Sequence, residues 1–96
     1  MGIKELLGTK REAILRLCEA RGAHRVRVFG SVARGDADEF SDVDLLVDME
    51  PGRTLFDMGG LVMDLADLLG REVDLVTEAG LKPRVRERIL REATAL

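Results

Sequence analysis

Asp42-Val43-Asp44 is where this chain's chemistry is easiest to read. Two carboxylates one residue apart on a strand project from the same face, because side chains alternate with period 2. Aspartate is a poor strand residue and like charges at this spacing repel, so the pair calls for a cation in front of it. Upstream, Gly30-Ser31 closes the run Arg25 to Phe29. A glycine at a strand end, followed by a serine and a short turn or helix, offers backbone N–H groups and a hydroxyl to phosphate oxygens. Asp74 lies in the run EVDLVT as a third carboxylate framed by apolar neighbours. Hard divalent cations such as Mg²⁺ take oxygen ligands, usually a few carboxylates with waters and substrate phosphates. Two such ions shared by these carboxylates can clamp the attacking and leaving oxygens of a displacement at phosphorus. The chain has one His and one Cys, not neighbours, so a zinc site is excluded.

These groups need a scaffold, and the hydrophobic pattern supplies one. Thr9 and Glu12 read as a capping box that starts a helix through about Arg21, with Gly22 as its stop. Ala13, Ile14, Leu17 and Cys18 form its buried stripe, and Ile3 to Leu7 is expected to be helical as well. Arg25 to Phe29 alternates as a strand with Val26 and Val28 inward. Val43 to Val47 is a second strand, with Val43, Leu45 and Val47 toward the core and Asp42, Asp44 and Asp48 on the other face. Pro51-Gly52 turns the chain, Thr54 caps a helix to about Leu69, and Gly70 closes it. Gly59-Gly60 makes the middle of that helix its weak point. Glu72 to Thr77 is the third strand, and a helix from about Pro83 to Ala93 buries Val85, Ile89, Leu90 and Ala93. The expected fold is α/β, a small mixed sheet of about three strands with helices packed on one face. The face bearing Asp42, Asp44 and Asp74 would stay open.

The remaining polar residues have plainer readings. Arg34 is expected to pair with Asp36 or another nearby acid and fix its loop, and Ser31 to cap the short helix after the first strand while also facing a phosphate. Asp36, Asp38 and Glu39 read as a solvated loop, Asp48 as a surface residue, and the arginines of the last helix as its wet side. Cys18 reads as a buried packing residue.

Composition narrows the function classes. At 96 residues the chain is read as a single domain, 1–96, with a core of ordinary size. A net charge of −3 argues against broad nucleic-acid binding, and 3% aromatics leaves little to stack on bases. No apolar run approaches the roughly 20 residues of a membrane span. The opening MGIKELLGTKRE has no apolar signal core, so a cytoplasmic location is expected.

Gly30-Ser31, a ten-residue gap and Asp42-Val43-Asp44 match the GS-x10-D-x-D signature of the DNA polymerase beta-like nucleotidyltransferases. The fuller run GSVARGDADEFSDVDLLVD resembles the minimal nucleotidyltransferases, and the resemblance extends through REVDLVT to RVRERILREA. It implies the nucleotidyltransferase form of the small mixed sheet. Asp42 and Asp44 would bind Mg²⁺, in two ions, and Asp74 would ligate metal or take the proton of the attacking hydroxyl. Gly30 and Ser31 would hold the triphosphate of ATP. The resemblance also implies a partner, a HEPN-domain toxin whose tyrosine receives AMP, as in the antitoxins of HEPN/MNT modules. The alternatives are an antitoxin that acts by complex formation alone and the catalytic subunit of a split transferase with a small-molecule or RNA acceptor. Homo-oligomers are left open.

Overall fold

The computed structural model describes residues 3–96. Its elements run α1 (Ile3–Thr9), α2 (Arg11–Ala20), β1 (Ala23–Phe29), α3 (Gly30–Arg34), β2 (Val43–Met49), α4 (Leu55–Leu69), β3 (Val73–Thr77), α5 (Pro83–Glu92) and β4 (Thr94–Ala95). The sheet order is β3-β2-β1-β4. β1 runs antiparallel to β2 and β4, while β2 and β3 are parallel. A parallel pair needs a crossover, and α4 provides it. The expected α/β mixed sheet is present, with one more strand than the pattern suggested. β4 is two residues long, too short to leave a periodic signal.

The register stacks side chains into rows across the sheet. On one face Val28, Leu45 and Leu75 align, as do Val43 with Val73 and Val47 with Thr77. This face carries the main core, where Val43, Leu45 and Val47 meet Ile14, Cys18, Leu61 and Leu65 from α2 and α4, all fully buried. On the opposite face Phe29, Asp44 and Asp74 form one row, and Arg27, Leu46 and Val76 the next. α5 packs here: Ile89, Val85 and Leu90 close over Phe29, Leu46 and Val76. The face expected to be open is therefore divided by α5, with polar side chains at either end of the covered strip.

Two local expectations change. Thr9 ends α1 rather than capping the next helix, and α2 starts from Lys10 without a side-chain cap. The turn of α1 has already committed Thr9 to helix. The capping box forms instead at α4, where Phe56 N–H donates to Thr54 Oγ1 at 3.2 Å and Thr54 N–H to Asp57 Oδ2 at 3.0 Å. In β1 the alternation breaks at a bulge between His24 and Arg27, where Arg25 adopts φ +50°. An extra residue re-aims the side chains that come after it. Val26 and Val28 after the bulge face the main core and Arg27 the opposite side, where it is only 9% exposed beside Asp48 and Glu78. Cys18 is fully buried, and burial pushes its thiol up to about 11. No described helix is long and apolar enough to cross a membrane.

Candidate functional site

β1 delivers the chain to Gly30, and α3 turns it away from the sheet. Gly30 has φ +72°, a conformation that costs other residues roughly 1–2 kcal/mol. It also lies against Asp44 on β2, where a Cβ would overlap Asp44 Oδ2 and come within 3.1 Å of Cγ. Only glycine lets the start of α3 approach the carboxylate this closely. α3 ends at Gly35, φ +84°, whose N–H returns to the carbonyls of Ser31 and Val32. Ser31 does not cap this helix: the N-cap position is Phe29, with no side-chain bond. Its hydroxyl has no partner among the described residues, so it keeps its donor for something else.

The loop before β2 is built to present Asp42. Asp38 Oδ1 accepts from Phe40 N–H at 2.9 Å, and Ser41 Oγ stands 3.0 Å from Asp38 N. Arg71, at the end of the α4 crossover, donates from Nη1 to the carbonyls of Asp38, Glu39 and Ser41 at 2.7–3.3 Å. Val43 N–H donates to Glu72 O at 2.9 Å and pins the start of β2 to the start of β3. The expected solvated loop is thus tied to the sheet through one guanidinium. Arg34 pairs with Asp36 as expected, Nε to Oδ2 at 3.3 Å, and also with Glu92 on α5.

The sheet brings the sequence-selected carboxylates together at one end. Asp44 and Asp74 are register partners on β2 and β3, side by side on the same face. Asp42 lies just before β2, and its charge is felt at Asp44. Burial first, then the negative charges of Asp74 and Asp42, push the Asp44 carboxyl above the usual aspartate range. Arg34 opposes that shift and Glu92 adds to it. None of the three carboxylates has a hydrogen bond or ion pair with another described residue. Nor do they form a closed cage: among the described residues no three His, Cys, Asp or Glu side chains are gathered tightly enough to hold a metal ion.

The donor set still fits a hard divalent cation. All the donors are oxygens, the charges of Asp74 and Asp42 act against that of Asp44, and the absence of a side chain at Gly30 leaves room for Asp44 Oδ2. Mg²⁺ is commonly bound by one or two carboxylates plus waters and phosphates, so a preformed cage is not required. Glu92 was not singled out in the sequence. In RILREA it reads as one more solvent-facing charge on an Arg-rich helix, and only the packing of α5 onto the aspartate face brings it beside the site.

A nucleotidyltransferase domain matches residues 10–96. A protein adenylyltransferase, MntA, of Thermococcus cleftensis is 45% identical over 76 residues, covering 79% of this chain and 77% of the relative. A candidate protein adenylyltransferase of Methanocaldococcus jannaschii is 37% identical over 93 residues, 97% of this chain and 96% of its own length. Among solved structures, a candidate minimal nucleotidyltransferase superposes with a TM-score of 0.88 at 57% identity, covering 100% of this chain and 97% of the other. A toxin–antitoxin solved with AMP-PNP shares the fold at a TM-score of 0.75 and 21% identity, over 88% of this chain and 69% of that one.

Proposed function

This chain belongs to the nucleotidyltransferase family, in its minimal branch, and from that premise we propose that it moves AMP from ATP to a tyrosine hydroxyl of a HEPN-domain toxin in the cytoplasm. The observation that carries the reading is the row of carboxylates without partners set against Gly30. Relatives that are 45% and 37% identical are named as protein adenylyltransferases or candidates for that activity, which supports a protein acceptor.

In the proposed reaction the acceptor oxygen attacks the α-phosphorus, a new P–O bond forms, and the bond to pyrophosphate breaks. Ser31 donates its hydroxyl to a phosphate oxygen, and Gly30 admits the phosphate chain next to Asp44. Asp74 is exposed on the edge strand β3, open to an acceptor brought by a partner. In this reading it ligates metal or receives the acceptor proton. Mg²⁺, as two ions held by Asp42, Asp44 and Asp74, would supply neutralisation of charge on the phosphate oxygens. The protein's own contribution is positioning: two carboxylates locked in register on adjacent strands need no reorganisation before the reaction.

The test is transfer of label from α-labelled ATP to the co-expressed partner, comparing wild type with Asp42→Asn/Asp44→Asn. The double variant should leave the partner unlabelled. Equal labelling by both proteins would sink the assignment. Suppression of toxicity by a variant that cannot label would instead favour complex formation alone.

A further inference from the structure

β3 lies at one edge of the sheet, and its outward backbone groups are open. Val43 N–H donates to Glu72 O at 2.9 Å, and Val43 is the register partner of Val73. In a parallel ladder this turns the N–H and C=O of Asp74 and Val76 toward β2 and those of Val73 and Leu75 away from it. The outward groups of Val73 and Leu75 meet no other element or side chain among the described residues. Thr77 has its carbonyl taken by Gly80 N–H at 3.1 Å. Edge strands are commonly blunted by lysine, proline or a bulge. VDLVT has no lysine or proline, and its register with β2 runs without a shift.

A second copy of β3 is a poor occupant for this edge. Antiparallel self-pairing through Val73, Leu75 and Thr77 has three central registers. They set Asp74 against Asp74, Glu72 against Glu78, or Asp74 against Glu78. Like charges that face each other across strands are destabilising. Glu72 and Asp74 are exposed and have no ion pair among the described residues, so the same edge favours a strand that carries lysine or arginine.

We propose that the acceptor protein docks by adding an extended, cationic segment to the β3 edge, with the residue that receives AMP opposite Asp74. The proposal rests on the nucleotidyltransferase reading above. Main-chain bonds to Val73 and Leu75 hold the segment, and period 2 sends the acceptor side chain to the face of Asp44 and Asp74. The added residue extends the row Phe29, Asp44, Asp74 by one place. Because Asp74 turns its own N–H and C=O inward, an antiparallel strand meets it at a position without hydrogen bonds, where Cα atoms are about 4.5 Å apart and side chains are closest. Glu72 and Asp74 attract basic residues of the segment and repel a polyanion such as RNA.

Two measurements test this. The first is amide hydrogen exchange in the intact protein, alone and bound to the co-expressed HEPN-domain partner. The Val73 and Leu75 amides should exchange about 10-fold more slowly, or slower still, in the complex, while those of Asp74 and Val76, already bonded to β2, change little. The second is the KM for the partner in transfer from α-labelled ATP. Val73→Pro removes one outward N–H at the first position of an edge strand, where proline is tolerated. It should raise that KM about 5- to 30-fold. Affinity for a non-hydrolysable ATP analogue should stay within about twofold, since no nucleotide contact is touched. Val73→Thr, which keeps the N–H, should match wild type, and Glu72→Lys should raise the KM by a few-fold. Unprotected Val73 and Leu75 amides in a complex that transfers label overturn the proposal, as does an unchanged KM in folded Val73→Pro. If that variant fails to fold, exchange in the wild-type complex decides alone. Protection that grows with protein concentration in the absence of partner would make a second copy the occupant and overturn it too. Absence of any transfer by wild type would sink the nucleotidyltransferase reading itself, an outcome distinct from transfer with an unprotected edge.

Discussion

Asp44 and Asp48 project from the same face of β2, on either side of the buried Leu46, and their surroundings are opposite. Asp48 accepts from Arg25 at 3.2 Å and from Arg27 at 3.1 Å. Arg27 also reaches Glu78 at 3.3 Å, and Glu78 is held by Arg86 of α5 at 2.8 Å through its carboxylate and 2.9 Å through its carbonyl. Every carboxylate at that end has a guanidinium. At the other end Asp42, Asp44 and Asp74 have none in direct contact, and the nearby Arg34 is already held by Asp36 and Glu92. The paired end fastens α5 to the sheet and satisfies the buried Arg27. The unpaired end is held in repulsion by strands that gain nothing from it. Charge left unmatched on a rigid surface marks where a ligand is expected, because structure alone gives no reason to keep it.

Asp44→Asn tests the unpaired end most severely. Transfer should fall on the order of 10²- to 10³-fold, the scale seen when one preorganised charge-stabilising group is lost. Stability should move the other way. The folded Asp44 carboxyl titrates above its unfolded value, so the folded protein holds a proton where the unfolded chain has released it. The destabilisation is therefore fully present above the folded pKa and fades as pH falls to the ordinary aspartate range. In metal-free protein the variant should melt higher than wild type at neutral pH and equal to it in acid. A variant that melts lower at neutral pH would mean that Asp44 has a stabilising partner.

Arg27→Ala should have the reverse signature. It removes a guanidinium 11% exposed and leaves Asp48 and Glu78, at 36% and 24%, short of a partner. Removing one member of a buried pair costs about 3–5 kcal/mol, and partial exposure of these acids brings the expectation to about 2–3 kcal/mol. Urea unfolding measures it. Nucleotide binding by the folded fraction should persist, since this network lies beyond the strip covered by α5. If binding fell while stability held, the two ends would not be independent.

Gly30→Ala strikes the boundary between backbone and site. Its positive φ alone costs roughly 1–2 kcal/mol with a side chain present. The methyl would also displace the Asp44 carboxylate, a flexible group that moves at little cost to stability. Activity should fall by much more than the thermal shift implies. A loss of transfer no larger than the loss of folded protein would show that close contact between Gly30 and Asp44 is not needed.

Much of this was legible from local pattern. Asp42, Asp44 and Asp74 could be placed because a period of 2 fixes which face a strand residue takes, and the α4 cap because Thr54 begins a segment no earlier element claims. What stayed hidden depends on contacts distant in sequence. The covering of the second face by α5 has no signature in an alternating Arg-Val run, so nothing marked Arg27 as buried. The site of Glu92 depends on which face α5 chooses, and both faces of the sheet offer apolar rows. Thr9 and Glu12 kept the capping-box spacing although Thr9 belongs to a helix that began earlier and ends before Glu12.

The smallest effect lies on the opposite face and calibrates the rest. Gly59 and Gly60 interrupt α4, each costing a helix roughly 1 kcal/mol relative to alanine. A Cβ at Gly59 meets nothing within 4 Å, so Gly59→Ala should stabilise by about 0.5–1 kcal/mol. A Cβ at Gly60 would come within 2.5 Å of Arg21 Nη1, which is part of the guanidinium paired with Asp64 at 3.3 Å. That side chain can move, but the pair it forms, with both partners 38% exposed, is worth at most about 1 kcal/mol. Gly60→Ala should accordingly gain less, close to nothing. Neither glycine lies on the face carrying the two charged ends, so transfer per folded molecule should match wild type in both variants. A change in transfer with Gly59→Ala would show that α4 rigidity reaches Asp44 through β2, and stability and activity could then no longer be assigned to opposite ends of one face.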